Sequence, residues 1–187
     1  MKKWALCAIL LMTLPAFATI ANVQSNAKWT CTGTSSPITC FVVLTTQPTT
    51  TGNLLAVWTF WQSASTYTAT VADSQHNGNP TTLTYLSAVG PTLQSTSNTS
   101  AQIFYAANIT GSGVGHNDTV TVTFTCVSTC TSPSITAGGI VAVEYSGADI
   151  YNPLDSVSAG YSYTTGTAMD SGTGAPANAN LLVSEEG

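Results

Sequence analysis

The stretch Thr119-Val120-Thr121-Val122-Thr123-Phe124-Thr125-Cys126 decides the class of fold. Its apolar residues recur every second position, which is the period of an extended strand and not of a helix. Val120, Val122, Phe124 and Cys126 share one face, and four threonines share the other, so one face meets a core and the other meets water. Working outward, the same period or a short apolar run recurs at Thr39 to Thr45, Asn53 to Gln62, Tyr67 to Ala72, Thr81 to Ser87 and Ala101 to Ile109. It returns at Gly139 to Ser146, Ser156 to Thr164 and Asn178 to Ser184. The connections carry chain breakers: Gln47-Pro48, Asp73 to Pro80, Gly90-Pro91, Gly111 to Asp118, Ser132-Pro133 and Asn152-Pro153. No segment shows a sustained helical period with caps. Many short strands at this spacing predict an all-β protein, an antiparallel β-sandwich of jelly-roll or immunoglobulin-like kind.

The N-terminus reads as an export signal. Met1-Lys-Lys is a positive n-region, Trp4 to Leu14 an apolar h-region, and Pro15-Ala16-Phe17-Ala18 a small-x-small cleavage site, placing cleavage after Ala18. Residues 19–187 then form a single domain. The apolar run is shorter than the roughly 18 residues a membrane span needs, and no later segment comes closer. Trp4-Ala5-Leu6 before Cys7 is a poor lipoprotein site, which argues against a lipid anchor. The expected location is therefore outside the cell or on its surface.

Only 6% of the 187 residues are charged, against roughly 25% in an ordinary globular domain. Solubility must rest on Thr, Ser, Asn and Gln. Losing Lys2 and Lys3 with the signal takes the formal charge from -5 to -7 and leaves Lys28 as the sole basic side chain. With no arginine, phosphate contacts have almost nothing to make them, which excludes nucleic acid and anionic membrane surfaces as partners.

Four cysteines remain after the signal, Cys31, Cys40, Cys126 and Cys130, and an even number in an exported chain reads as two disulfides. Four cysteines allow three connectivities. The local pairs, Cys31 with Cys40 and Cys126 with Cys130, are favoured because each brackets turn formers. A zinc site is the competing reading, but His76 and His116 are remote in sequence from both pairs.

A succession of short motifs carries a resemblance. Gly52-Asn53-Leu54-Leu55-Ala56-Val57 is followed by Val71-Ala72-Asp73-Ser74 with Asn77-Gly78-Asn79, and then by Ile103 to Ile109 and Val120 to Phe124. Glu144-Tyr145-Ser146-Gly147, Asn152-Pro153-Leu154-Asp155 and Ala179-Asn180-Leu181-Leu182 complete the order. From about Gly52 onward the chain resembles an uncharacterised β-sandwich domain of secreted and cell-surface proteins in environmental bacteria. The resemblance implies a β-sandwich in extracellular proteins and no catalytic residues. Relatives have a tighter turn after the Asp-Ser pair than Gln75 to Pro80 provides.

Candidate chemistry is sparse. Glu144 shares a strand face with Ile140 and Ala142, which makes it a partly buried carboxylate; a glycosidase would pair it with Asp155, Asp118 or Asp73. The plainer reading has Glu144 accepting hydrogen bonds at a sheet end, so no catalytic residue is assigned. His76 and His116 lie in Gly/Asn-rich turns without a nucleophile elbow and read as solvated loop histidines. No metal or other cofactor is expected; calcium is the alternative, through Asp73 to Asn79 or Asp149 to Asp155, although Asn and Asp are also ordinary turn residues.

The aromatic residues give the ligand-binding candidates. Alternation along Val57-Trp58-Thr59-Phe60-Trp61 sets Trp58 and Phe60 on one face; if that face is core, Trp61 lies near the surface. Tyr161 and Tyr163 share a face beside Ser and Thr. Exposed rings among neutral hydroxyls suit sugar stacking, while core or rim packing is the competing account. The Thr ladder invites an ice- or crystal-binding reading, yet threonine is an ordinary outward strand residue.

Two functions follow from these residues. One is a non-enzymatic structural or adhesive module, packing against a neighbouring surface or matrix protein. The other is a carbohydrate-binding module for extracellular polysaccharide. A glycoside hydrolase ranks third. Asn178 to Ser184 reads as a buried strand with only Glu185, Glu186 and Gly187 after it, so the sheet is expected to lack C-terminal strands and the domain to be truncated.

Overall fold

A computed structural model describes residues 19–74, 83–94, 97–127, 130 and 133–154. Within them the chain is all-β: β1 (Ala21–Lys28), β2 (Ile38–Leu44), β3 (Leu54–Gln62), β4 (Tyr67–Asp73), β5 (Leu86–Gln94), β6 (Thr99–Ala106), β7 (Asp118–Cys126) and β8 (Ala137–Ser146). They form two antiparallel sheets, one ordered β1-β8-β3-β6-β5 and the other β2-β7-β4, which are not closed into a barrel.

The alternation in β7 does what the sequence requires of it. Val120, Val122 and Phe124 are fully buried, and the intervening threonines point away from them. Because β7 is the central strand of its sheet, Thr119, Thr121 and Thr123 are half-buried between flanking strands. Opposite them, β3 and β8 contribute Leu55, Val57, Trp61, Ile140 and Ala142, with Phe104 from β6. Burying each of the larger of these side chains contributes about 1.5–3 kcal/mol, and together they hold the sheets face to face.

One side of the sandwich is laced by polar side chains from β1. Asn26 Nδ2 donates to the Val43 carbonyl of β2 at 2.7 Å, and Gln24 Nε2 donates to the Gln47 carbonyl at 2.9 Å. Lys28 Nζ sits 4.9 Å above the Phe41 ring.

The disulfides join Cys31 to Cys40 and Cys126 to Cys130, with Cα separations of 5.5 and 6.5 Å, as the local pairing predicts. Bonded to one another, these four sulfurs are not thiolates for zinc.

Several strand expectations need correction. β1 is absent from the sequence reading, because the alternation of Ala21, Val23 and Ala27 with polar residues is weak and the position it buries is a polar one, Gln24; its pairing with β8 and its side-chain amides hold it instead. The strand placed at Thr81 to Ser87 begins at Leu86 and runs through Gly90-Pro91, accommodating that pair by register shifts between Ser87 and Val89 and between Val89 and Thr92. The strand expected to reach Ile109 ends at Ala106, and Asn108 follows with φ 51°. The expected signal segment 1–18, the strands expected at Ser156 to Thr164 and Asn178 to Ser184, and the expected truncation fall outside the described residues.

Candidate functional site

Three acidic side chains point into one end of the sandwich. Asp73 closes β4, Asp118 opens β7, and Glu144 lies near the end of β8; all three are buried, the latter two completely. Strand parity puts them there. Asp118 keeps step with Val120, Val122 and Phe124, while Glu144 keeps step with Ile140 and Ala142.

Glu144 is held by neutral donors. Gln24 Nε2 and Asn53 Nδ2 each donate to it at 2.6 Å, and the Thr50 backbone N–H donates at 2.7 Å. Both carboxylate oxygens are therefore engaged: Gln24 on one, Thr50 and Asn53 on the other. A buried carboxylate without such donors would cost several kcal/mol of desolvation. Its partners come from β1 and from the β2–β3 connection, so the side chain ties three separate segments together.

The β2–β3 and β6–β7 connections are bonded to each other above these acids. The Gly52 N–H donates to the Ile109 carbonyl at 2.9 Å, and the Ile109 N–H donates to the Asn53 carbonyl at 3.0 Å. Ser112 and Thr49 exchange further bonds: the Ser112 N–H meets Thr49 Oγ1 at 3.0 Å, and Ser112 Oγ accepts from the Thr49 N–H at 2.9 Å. A Cβ at Gly111 would collide with the Thr49 carbonyl, so glycine permits this close approach. Between the loops is a shallow cleft of about 370 Å³ lined by Pro48, Thr49, Thr50, Thr51, Gly111, Gly113 and Val114. None of those residues ionises. Thr49 Oγ1 donates to Asp118 at 3.4 Å from this rim.

Near Asp73, the Leu83 N–H donates to Oδ1 at 3.1 Å. Burial, and then the charges of Asp73 and Asp118, hold the Tyr85 phenol well above its ordinary value. This end of the molecule is thus a set of acceptors arranged to fasten loops. Its chemistry is hydrogen-bond acceptance, with the Glu144 oxygens already engaged.

The sequence-derived binding residues do not come together here. Trp61 lies in the core, 2% exposed, with its ring 5.4 Å from that of Phe124, so the surface position expected for it is wrong. β3 is the middle strand of its sheet and apolar on both faces; Trp58, the residue placed in the core, points instead to the outer face beside Ile103, Val141 and Tyr145. Tyr161 and Tyr163 lie outside the described residues. Among the described residues a different aromatic pair, exposed Trp29 and half-buried Phe60, reaches the surface. Trp29 is 62% exposed and its ring lies 6.1 Å from that of Phe60, whose ring covers Gly139.

His116 is exposed in a turn closed by its N–H to the Gly113 carbonyl at 3.2 Å. Asp149 accepts from the Tyr151 and Asn152 N–H groups at 2.8 and 3.1 Å, which lowers its carboxyl pKa and makes it a turn former. Among the described residues no three His, Cys, Asp or Glu side chains converge to hold a metal ion. His76, Asp155 and most of the Asp73 to Asn79 loop fall outside the description.

Sequence reasoning named Glu144 but missed its partners Gln24, Thr50 and Asn53. The usable signal was chemical: a carboxylate on a core face, in a chain with almost no cations, must recruit amides. Compared with known proteins, the chain matches no family model, no curated protein and no solved structure.

Proposed function

We propose that this chain is a non-enzymatic extracellular module with a structural or adhesive role at a cell surface or in a matrix. The observation that carries the reading is the use made of Glu144, the best acid/base candidate. It is completely buried and spends both oxygens on three donors within the fold. A glycosidase needs two carboxylates facing across an accessible cleft, whereas the cleft here is lined by Thr, Gly, Pro and Val. The export signal, the local disulfides and the resemblance to secreted β-sandwich domains support the extracellular setting. The partner is a neighbouring surface or matrix protein. No nucleic acid is expected, given the near absence of basic side chains.

Carbohydrate binding is a second reading, and it rests on Trp29 and Phe60 in place of Trp61. A pull-down on insoluble polysaccharides, run beside a glycan array, separates the two. Retention abolished by Trp29→Ala in a folded protein supports the sugar reading. No retention, together with no turnover across glycoside and ester substrate panels, supports the structural one. Turnover above background overturns both.

A further inference from the structure

A strand that is apolar on one face needs one core, and a strand that is apolar on both faces needs two. The smaller sheet is of the first kind, for its register sets Thr39, Thr123 and Thr70 in one row across its outer face. The larger sheet is of the second kind. Across the middle of its outer face run Ala27, Val141, Trp58, Ile103 and Val89, a row with no polar member. In the next row Ala56 lies between Val143 and Tyr105.

The centre of this face is buried. Trp58 is 8% exposed, Ala56 6% and Val143 5%, although all three point away from the core shared with the smaller sheet. An indole brings about 150–250 Å² of surface to be hidden, and its half-buried row neighbours Val141 and Ile103 are too small to hide it. Trp58 Nε1 is buried as well and has no hydrogen-bond acceptor. Among the described residues no strand lies over the indole.

Of the chain outside the described residues, 95–96, 128–129 and 131–132 are too short to cross a sheet, and 1–18 is the expected export signal. Residues 75–82 leave from β4 and return to Leu83, whose N–H donates to Asp73 at 3.1 Å. A run that short, closing on its own start, reaches out about 13 Å. The sheets alone stand about 10 Å apart, so it cannot pass the edge of the larger sheet and cross to the middle of the far face. Residues 155–187 remain. They follow β8, which pairs with β3 alongside Trp58. An extended run such as Ser156 to Thr164 would span about 30 Å, more than the roughly 20 Å across the larger sheet. The segment also carries apolar side chains to set on the face, among them Tyr161, Tyr163, Leu181, Leu182 and Val183.

We propose that residues 155–187 lie across the outer face of the larger sheet as a third layer, covering Trp58 and offering a backbone carbonyl to its indole N–H. The second core is then built within the chain, and this face is not a docking surface for another molecule. The inference stands apart from the extracellular role proposed above.

A photoreactive side chain reads the cover in the full chain. With p-benzoylphenylalanine in place of Ile103, irradiation should join the outer face to a peptide from 155–187 of the same molecule, as chymotryptic mapping will read. The same group at Thr121, half-buried on the outer face of the smaller sheet, should not make that link. A specific protease site inserted between Leu154 and Asp155 gives a second measurement with the face unaltered. After cleavage the segment should stay with the rest of the protein through gel filtration. Ile103→Glu, which sets a charge beneath it, should hasten its loss at least about tenfold relative to Thr121→Glu. A link to a second copy, a link to residues 75–82, or no link at all would overturn the proposal. So would immediate loss of the cleaved segment, or equal rates of loss from the two variants.

Discussion

Replacing Glu144 by Gln removes one charge from a completely buried site and leaves its shape unchanged. In the native protein one carboxylate oxygen accepts from Thr50 N–H and Asn53 Nδ2, and the other accepts from Gln24 Nε2. A glutamine keeps one acceptor. If its oxygen stays with Thr50 and Asn53, its NH₂ faces the Gln24 amide, donor against donor. Turning Gln24 over would break its bond to the Gln47 carbonyl. Two bonds lose charge assistance, at about 1 kcal/mol each, and one is lost with a buried donor left unsatisfied, at about 1–3 kcal/mol. The expected destabilisation is therefore about 3–5 kcal/mol, a large part of the 5–15 kcal/mol typical of a domain. With a urea m-value near 2 kcal/mol/M, the unfolding midpoint should fall by about 1.5–2.5 M. Equilibrium urea unfolding followed by tryptophan fluorescence measures it directly. A shift below about 0.3 M would refute the reasoning, because it would mean that the three bonds contribute no more than an exposed contact.

Trp61→Ala should cost about 3–5 kcal/mol by thermal or urea unfolding, since the ring fills core space against Phe124, whereas Trp29→Ala should cost under about 1 kcal/mol. The phenol of Tyr85 ionises with more difficulty folded than unfolded, so stability is intact below pH 10.0 and declines as pH rises beyond it. Tyr85→Phe should flatten that alkaline decline in a pH series of unfolding midpoints; an unchanged slope would place the titration elsewhere. Peptide mapping without reduction should recover Cys31 joined to Cys40 and Cys126 joined to Cys130, and replacing the first pair by serines should cost about 2–3 kcal/mol. Gly111→Ala forces a side chain against the Thr49 carbonyl and should lower the melting temperature by several degrees, at a cost of about 2 kcal/mol.

Strands with one apolar face were legible almost to the residue: Thr119 to Cys126 became β7 and Tyr67 to Ala72 became β4 with one residue added. β1 was not legible because what holds it is remote. Gln24 finds Glu144 across 120 residues of sequence, and no local pattern records that. Gly90-Pro91 looked like a break because a proline cannot complete an unbroken ladder, yet a strand with register shifts at the sheet edge accommodates it. Trp61 shows the limit of parity. Alternation says which residues share a face of β3, but with Trp58 on one face and Trp61 on the other it cannot say which face is core. Thr59 misled further, for its hydroxyl is buried and donates to the Gly139 carbonyl at 2.9 Å. At the acidic end, Glu144 was readable and its donors were not, because Thr50 and Asn53 look like ordinary turn residues until the loops close.

The pairing of β1 with β8 also governs when this protein can fold. The first strand has its only strand neighbour, among the described residues, in the last one. Glu144 then locks the pair by way of Gln24 and the β2–β3 connection. A ribosome that has released β1 must add more than a hundred further residues before its partner exists, and until then Gln24 and Asn53 have no carboxylate to hold. Contacts this distant make folding slow, because the loop must be closed before any bond repays it. The growing chain is thus kept open by its own topology until β8 has been made.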